Sequence, residues 1–336
     1  MYPTFHKALN MFRQFLIACL LPLSFFATAA QADVLYYNIA HAVNHSKYID
    51  WAVSNGANGI EADLRFTDNG EVLKFQHGTI CECQFPTGWY AWNETDICVQ
   101  MMSVSPTYKP DPDLPKTETV KSGKDACLVN ETARGFMNTL ATKSSIALFI
   151  VDSKVGGSVA ASQAARAAAG RNVIAALVKD LFGKGYKGKV IVGVDKEKFH
   201  AYIMAAAQAA RSTSYANRIY FSIDENGNKE EFALSAIELL NEYAPGKVAY
   251  GNGISANFDG NYEKVFKVGV AAEKQGKVQF NYIWTLDKPN PMNTYLSLGV
   301  RGIMTNSPKT LQGALKPYLA PGRVPAGRMA RPDDPL

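Results

Sequence analysis

Short apolar runs alternate with helical patterns along nearly the whole chain, and this alternation restricts the fold more than any other feature. "VLYYNIA" (34–40) reads as a strand, followed by a helix over 44–55 that ends near Gly56. "NGIEADLRF" (58–66) is a second strand, which "EVLKF" (71–75) extends after the turn "TDNG". "SIALFIVD" (145–152) precedes an Ala-rich helix over 158–183. "KVIVGV" (189–194), "RIYFSI" (218–223), "KVAYGN" (247–252), "KVQFNYIWTL" (277–286) and "VRGIMT" (300–305) follow. Each has a helical pattern behind it, at 196–211, 229–243, 260–274, 291–298 and 308–318. Strand–helix alternation demands a parallel sheet, and eight such units is the number that closes a barrel. The expectation is a single α/β (β/α)8 TIM barrel over 33–320, with no internal repeat and no interdomain linker. Residues 78–130, rich in Pro, Cys, Trp and polar residues, form its long loop insertion, and 321–336 a short C-terminal tail.

The first 32 residues stand apart from that pattern. Lys7 and Arg13 precede the apolar "FLIACLLPLSFFATAA", and small-residue cleavage sites follow near Ala30 or Ala32. This is the layout of a secretory signal peptide, too short to favour a spanning helix, and it predicts export to the extracellular space or periplasm. Nothing later reads as a transmembrane segment. The formal charge of +5 includes two leader cations, so the mature chain is near +3 with no long basic run. Nucleic acid is not the expected partner.

Of five cysteines, Cys19 leaves with the leader, while Cys81, Cys83, Cys98 and Cys127 fall in the insertion. In an exported protein the expectation is two disulfides, because C-x-C with distant partners does not match zinc-ligand spacing. A Cys81–Cys83 bond is sterically poor, which leaves two pairings open.

Within "NGIEADLRF", Glu61 and Asp63 interrupt an otherwise apolar strand. Alternate strand residues share a face, so both carboxylates point the same way, roughly 6–7 Å apart at Cα. Two anions that close repel unless a cation joins them or one takes a proton. Barrel active sites gather at the C-terminal ends of the strands. There the chain puts His41, Glu61, Asp63, His77, Asp152, Lys154, Trp284, Asp287, Thr305 and Asn306. Three carboxylates without sulfur suit a hard cation, with Mg²⁺ favoured when positions stay open for a phosphate. Two histidines suit general acid and base work, and the set as a whole suggests phosphodiester cleavage.

The motifs "IAHAVN" (39–44), "WAVSNGANGIEADLRF" (51–66), "HGTICEC" (77–83), "FIVDSK" (149–154) and "YIWTLDK…LGVRGIMTNSP" (282–308) resemble a known family. It is the sphingomyelinase D/phospholipase D toxins of recluse spiders and their bacterial and fungal relatives, distant cousins of the glycerophosphodiester phosphodiesterases. The wider group has His-Arg-Gly after strand 1 and His-Asp at the second histidine, whereas this chain has His41-Ala42-Val43-Asn44 and His77-Gly78. The resemblance implies that His41 and His77 are the catalytic pair and that Glu61, Asp63 and Asp152 hold one Mg²⁺. It implies that Lys154, Tyr282, Trp284, Asp287 and Asn306 bind substrate, Trp284 facing a choline cation through its ring. Glu82 stands where the family has an Asp that supports a catalytic histidine. The tail "ARPDDPL" (330–336) resembles a shortened form of the family's barrel plug.

The function so implied is a secreted, monomeric phospholipase D that cleaves the headgroup phosphodiester of sphingomyelin and lysophospholipids at a membrane surface, a reaction that in the family often releases a cyclic phosphate. Trp89, Tyr90 and Trp92 could touch that surface or pack over the barrel rim. The alternatives are a glycerophosphodiesterase acting on small deacylated diesters and a non-catalytic barrel that binds lipid or choline.

Overall fold

The computed structural model describes residues 33–76, 131–156, 162–224, 227–253 and 262–336. The leader, His77, Glu82, the four insertion cysteines and Trp89, Tyr90 and Trp92 lie outside the described residues. Eight parallel strands form the frame: β1 (Val34–Ala40), β2 (Gly59–Phe66), β4 (Leu148–Lys154), β5 (Lys189–Val194), β6 (Ile219–Ile223), β7 (Ala249–Gly253), β8 (Phe280–Trp284) and β9 (Gly302–Thr305). Their order is β6-β5-β4-β2-β1-β9-β8-β7. A bridge between Phe221 and Val248, with Phe221 N donating to the Lys247 carbonyl at 2.9 Å, brings the two outer strands together. The parallel, nearly closed barrel expected from the alternation is therefore present.

The strand period of two divides the core. Ile60, Ala62, Leu64 and Phe66 of β2 are buried in the layer beneath the helices, together with Phe149, Val151, Val190 and Val192. The opposite face of the strands, with Leu35, Tyr37, Ile39, Ile150, Ile191, Tyr220, Phe280, Tyr282 and Met304, fills the barrel interior. Inward positions continue upward from these residues to the C-terminal mouth, which is where Glu61, Asp63 and Asp152 belong by alternation.

Helices α1 (Ile49–Ser54), α3 (Gln163–Ala176), α4 (His200–Arg211), α5 (Glu230–Tyr243), α6 (Glu263–Lys274), α7 (Pro289–Leu298) and α8 (Pro308–Leu315) follow the expected pattern. Pro289 and Pro308 open α7 and α8, where a missing N–H costs nothing, and Gly299 at φ 99° closes α7. The long Ala-rich helix is α-helical only to Ala176 and continues as distorted turns through Lys184.

Two elements differ from the sequence reading. "EVLKF" yields β3 (Val72–Phe75), which does not prolong β2 but folds back antiparallel to it. Gly70 makes this hairpin possible: it sits at φ +84°, and a Cβ there would lie 2.7 Å from Ala165 O and Ala169 N of α3. Helix α2 (Ala133–Leu140) was not anticipated. Thr132 caps it by accepting from Gly135 N at 3.1 Å, while Phe136, Met137 and Leu140 bury one face. The polar, Pro-rich composition before it masked this short amphipathic signal.

The C-terminal segment returns to the bottom of the barrel, opposite the mouth. Strand β10 (Gly327–Met329) pairs with Val34–Tyr36 at the start of β1. Ala330 joins the inner cluster and Leu336 packs against it. Lys189 Nζ donates to the carbonyls of Pro332 (2.9 Å) and Asp334 (2.5 Å), and Tyr37 OH to that of Pro335 (3.2 Å). No described helix is long and apolar enough to cross a membrane.

Candidate active site

Register, rather than sequence proximity, assembles the three acids. Asp63 on β2 and Asp152 on β4 are direct partners across neighbouring strands, and Glu61 lies one inward position below Asp63. Glu61, Asp63 and Asp152 each offer an oxygen within 4.8 Å of the others. Glu61 and Asp63 are 2% and 1% exposed, so water screens their repulsion little. Burial, then the charges of Asp63 and Asp152, push the Glu61 carboxyl well above its ordinary range, against Lys154 and the Ala42 N–H. Burial also raises Asp152, with Lys154 opposing. Lys154, two residues further along β4, pairs with Asp63 Oδ1 at 2.8 Å and with Asp152. Burial alone favours its neutral form, but these two carboxylates reverse the balance and hold it charged.

The turn after β1 is bound onto this acidic strand. Ala42 adopts φ 52°, which turns its N–H to Glu61 Oε2 at 2.8 Å, and Val43 N donates to the Glu61 carbonyl at 2.8 Å. Asn44 and Asp63 exchange two bonds: Asn44 Nδ2 donates to Oδ2 at 2.8 Å and Asp63 N donates to Asn44 Oδ1 at 2.7 Å. These contacts hold His41 above the acids, its Nε2 3.9 Å from Glu61 Oε2.

The tautomer of His41 follows from its hydrogen bonds. Asp287 accepts from Asn306 Nδ2 (2.8 Å), Asn306 N (2.8 Å) and Thr305 Oγ1 (2.9 Å). A carboxylate can only accept, so the amide nitrogen of Asn306 faces Asp287 and its oxygen faces His41 Nδ1 at 2.8 Å. Nδ1 therefore carries the proton, and the lone pair of Nε2 is left on the side of the acids.

A cavity of about 260 Å³ opens over these groups. Its wall carries His41, Glu61, Asp63, Asp152, Lys154 and Trp284, all anticipated. Asp195, Lys196, Asp224 and Met304 also line it and were not. Asp195 directly follows the run "KVIVGV" and Asp224 the run "RIYFSI". The strand-end rule that selects Asp152 selects both of these as well.

Three expected substrate contacts instead lie behind the wall. Asn306 and Asp287 form the relay that orients His41. Tyr282 is fully buried, its hydroxyl bonded to Asp224 (2.7 and 2.6 Å) and to Ser222 Oγ (2.9 Å). Asn44, the partner of Asp63, is a further positioning residue; its place in "IAHAVN" was the available signal. Gln76 N donates to the Asp63 carbonyl at 2.7 Å. The residue after it, His77, lies outside the described residues.

This relay makes a prediction. Asn306→Ala is expected to lower the rate of any reaction that uses His41 Nε2 by about 10–100-fold, the usual cost of an orienting partner. The loss should appear in kcat with KM little changed, measured by steady-state kinetics. An unchanged kcat would mean that His41 holds its orientation without the amide.

Taken together, the parallel barrel and a mouth carrying three carboxylates, a lysine and an oriented imidazole define a (β/α)8 protein with a polar, cation-compatible catalytic-type centre. The sequence profile of the family described as "Dermonecrotic toxin SPH" matches residues 33–87 and 131–324. The chain belongs to that family. It is 24% identical over 317 residues to dermonecrotic toxin LiSicTox-betaIA1ii of Loxosceles intermedia, covering 89% of this chain and 88% of the toxin. It is also 24% identical to dermonecrotic toxin Hl-PLD1 of Hemiscorpius lepturus, over 86% of this chain and 81% of that one. Among solved structures, one from Silicibacter pomeroyi assigned as a glycerophosphoryl diester phosphodiesterase superposes with TM-score 0.54 at 14% identity, covering 85% of this chain and 94% of that one. A glycerophosphodiester phosphodiesterase from Parabacteroides distasonis gives TM-score 0.50 at 16% identity, covering 85% and 98%. At such identities the two structures speak for the fold alone.

Proposed function

We propose that the chain is an exported, Mg²⁺-dependent phospholipase D that cleaves the headgroup phosphodiester of sphingomyelin and lysophospholipids. One observation carries the reading: three carboxylates converge on one point beside an imidazole whose free Nε2 lies on their side. Membership of a toxin family supports it, and so do relatives that match over most of their length.

The donor set fits a hard divalent cation, since Glu61, Asp63 and Asp152 supply three oxygens, no sulfur and mutual repulsion. These residues would hold the ion, which when bound supplies charge neutralisation and polarisation of a phosphoryl oxygen. Nε2 of His41 then acts as base or nucleophile, because Nδ1 is committed to Asn306. His77 would be the partner acid, and Glu82 stands where the family resemblance puts an acid that supports a catalytic histidine. Lys154 gives charge to the phosphate, and Trp284 borders the headgroup. The cavity, near 260 Å³, is below the roughly 300–1,000 Å³ of pockets for drug-sized ligands. It accommodates a headgroup and phosphate while acyl chains stay outside at the lipid surface. Attack by a substrate hydroxyl in place of water gives a cyclic phosphate. The insertion's two disulfides, the leader-directed export, the monomeric state and the tail's role as a plug belong to the same reading.

³¹P NMR of sphingomyelin and lysophosphatidylcholine digests, with and without EDTA, tests it. Loss of the diester resonance, abolished by EDTA and restored by Mg²⁺, is expected. Consumption of glycerophosphocholine with both lipids untouched would make the chain a glycerophosphodiesterase. Binding without turnover would make it a non-catalytic barrel.

A further inference from the structure

The flank of the barrel carries a cleft that the active site does not use. Elsewhere the outer helices meet closely: a Cβ on Gly170 of α3 would lie 2.3 Å from the Tyr202 carbonyl of α4, so the two backbones touch there. Between α5 and α6 a space of about 500 Å³ remains, inside the roughly 300–1,000 Å³ range of small-molecule pockets. Leu234 and Ile237 of α5 line it opposite Val268 and Ala271 of α6, where the small alanine leaves the gap unfilled. Leu234 is 49% exposed, so this wall presents apolar surface to water.

The cleft has a polar foot. Asn241 Nδ2 donates to the Lys277 carbonyl at 3.0 Å, which ties the end of α5 to the turn after α6. Lys277 lines this foot and is exposed. Its ammonium is not committed to the fold. The last carbonyls of α6 accept from the backbone N–H groups of Gln275, Gly276 and Lys277, so the helix end does not call on the side chain. Glu273, the acid of the last turn, accepts instead from Arg301 Nε at 2.7 Å and from Asn281. No carboxylate pairs with Lys277 among the described residues.

We propose that this cleft binds one long-chain carboxylate, its chain along Leu234, Ile237, Val268 and Ala271 and its head at Lys277. Charge complementarity selects the head. The one ammonium at the foot matches a single negative charge, while Glu238 on the α5 wall, about one turn above Asn241, repels a dianion such as a phosphomonoester. The apolar walls run lengthwise, since Leu234 to Asn241 spans about 10 Å of helix, a path that a single chain follows. Each methylene buried there is worth about fourfold in affinity. Neither the site nor its test depends on the phospholipase reading.

Isothermal titration calorimetry of the purified mature chain with octanoate, decanoate and dodecanoate, each below its micelle concentration, tests it. One molecule per chain is expected, with affinity rising by up to about fifteenfold per two carbons. Ala271→Trp, at an exposed position, should fill the cleft and abolish binding while the melting temperature stays that of the parent. Lys277→Gln should weaken decanoate about tenfold and leave decanol unchanged, a split that a purely structural lysine would not give. Absence of binding, binding that survives Ala271→Trp, or equal losses for acid and alcohol in Lys277→Gln overturns the proposal. Tighter binding of decyl phosphate than of decanoate also overturns it, in favour of a phosphorylated lipid. A parent that sediments as a dimer, with Ala271→Trp a monomer, would overturn it by making the cleft a contact between two copies of the chain.

Discussion

His41→Ala is expected to lower kcat by about 10²–10⁴-fold, the range for loss of a positioned acid or base, with the fold retained. The side chain is 16% exposed and its one described hydrogen bond is to Asn306, so water can replace it without leaving a buried group stranded. Circular dichroism and thermal melts should therefore match the parent, while turnover of lysophospholipid collapses. The relay adds a sharper criterion. His41 and Asn306 act as one unit, so the double variant should be no slower than His41→Ala alone. Near-full activity in His41→Ala would remove the imidazole from the chemistry. Additive losses would mean that Asn306 contributes independently of it.

The second large effect concerns the three acids without their cation. The folded Glu61 carboxyl titrates above its unfolded counterpart, because burial and then Asp63 and Asp152 disfavour its anion. The metal-free fold therefore binds the proton more tightly than the unfolded chain. Stability from this group is present at pH values below the unfolded value, about 4.3, and is lost as pH rises through the raised folded value. In EDTA the melting temperature should accordingly fall from pH 5 toward pH 8. Mg²⁺ should reverse that at neutral pH, by about 2.7 kcal/mol at a hundred times its Kd. Glu61→Gln should melt higher than the parent in EDTA and gain less from Mg²⁺. It should also lose more activity than the roughly 10–100-fold that a lost outer-shell partner costs. Calorimetry or fluorescence melts over pH, with and without the ion, provide the readout. A parent that melts higher in EDTA at pH 8 than at pH 5 would contradict the repulsion argument.

Much of the fold and the acidic centre was legible because two periodicities carry them. Apolar runs at strand spacing recur with helical patterns between them, and each run locates one strand of the barrel. Glu61 and Asp63 share a strand face, and strand ends mark the mouth, so Asp152 and Lys154 could be added without any coordinates. The same rule reaches Asp195 and Asp224, which the family motifs did not draw attention to. Helix α2 was hidden by its polar surroundings, and β3 was read as a continuation because alternation is the same in a hairpin as in a longer strand.

The sequence by itself determined the strand–helix count, which faces of the strands are apolar, and which acids stand at their ends, because these depend on residue spacing along one element. Only the tertiary structure decided what those residues do to one another. The β2–β4 register sets Asp63 opposite Asp152, and the closure of β9 onto β1 brings Asn306 to His41 across 265 residues of chain. The placement of β8 buries Tyr282 and sets its hydroxyl against Asp224 of the cavity wall. Each of these is a contact between strands, and the relative shift of two strands is settled by the packing of the whole barrel rather than by either segment alone.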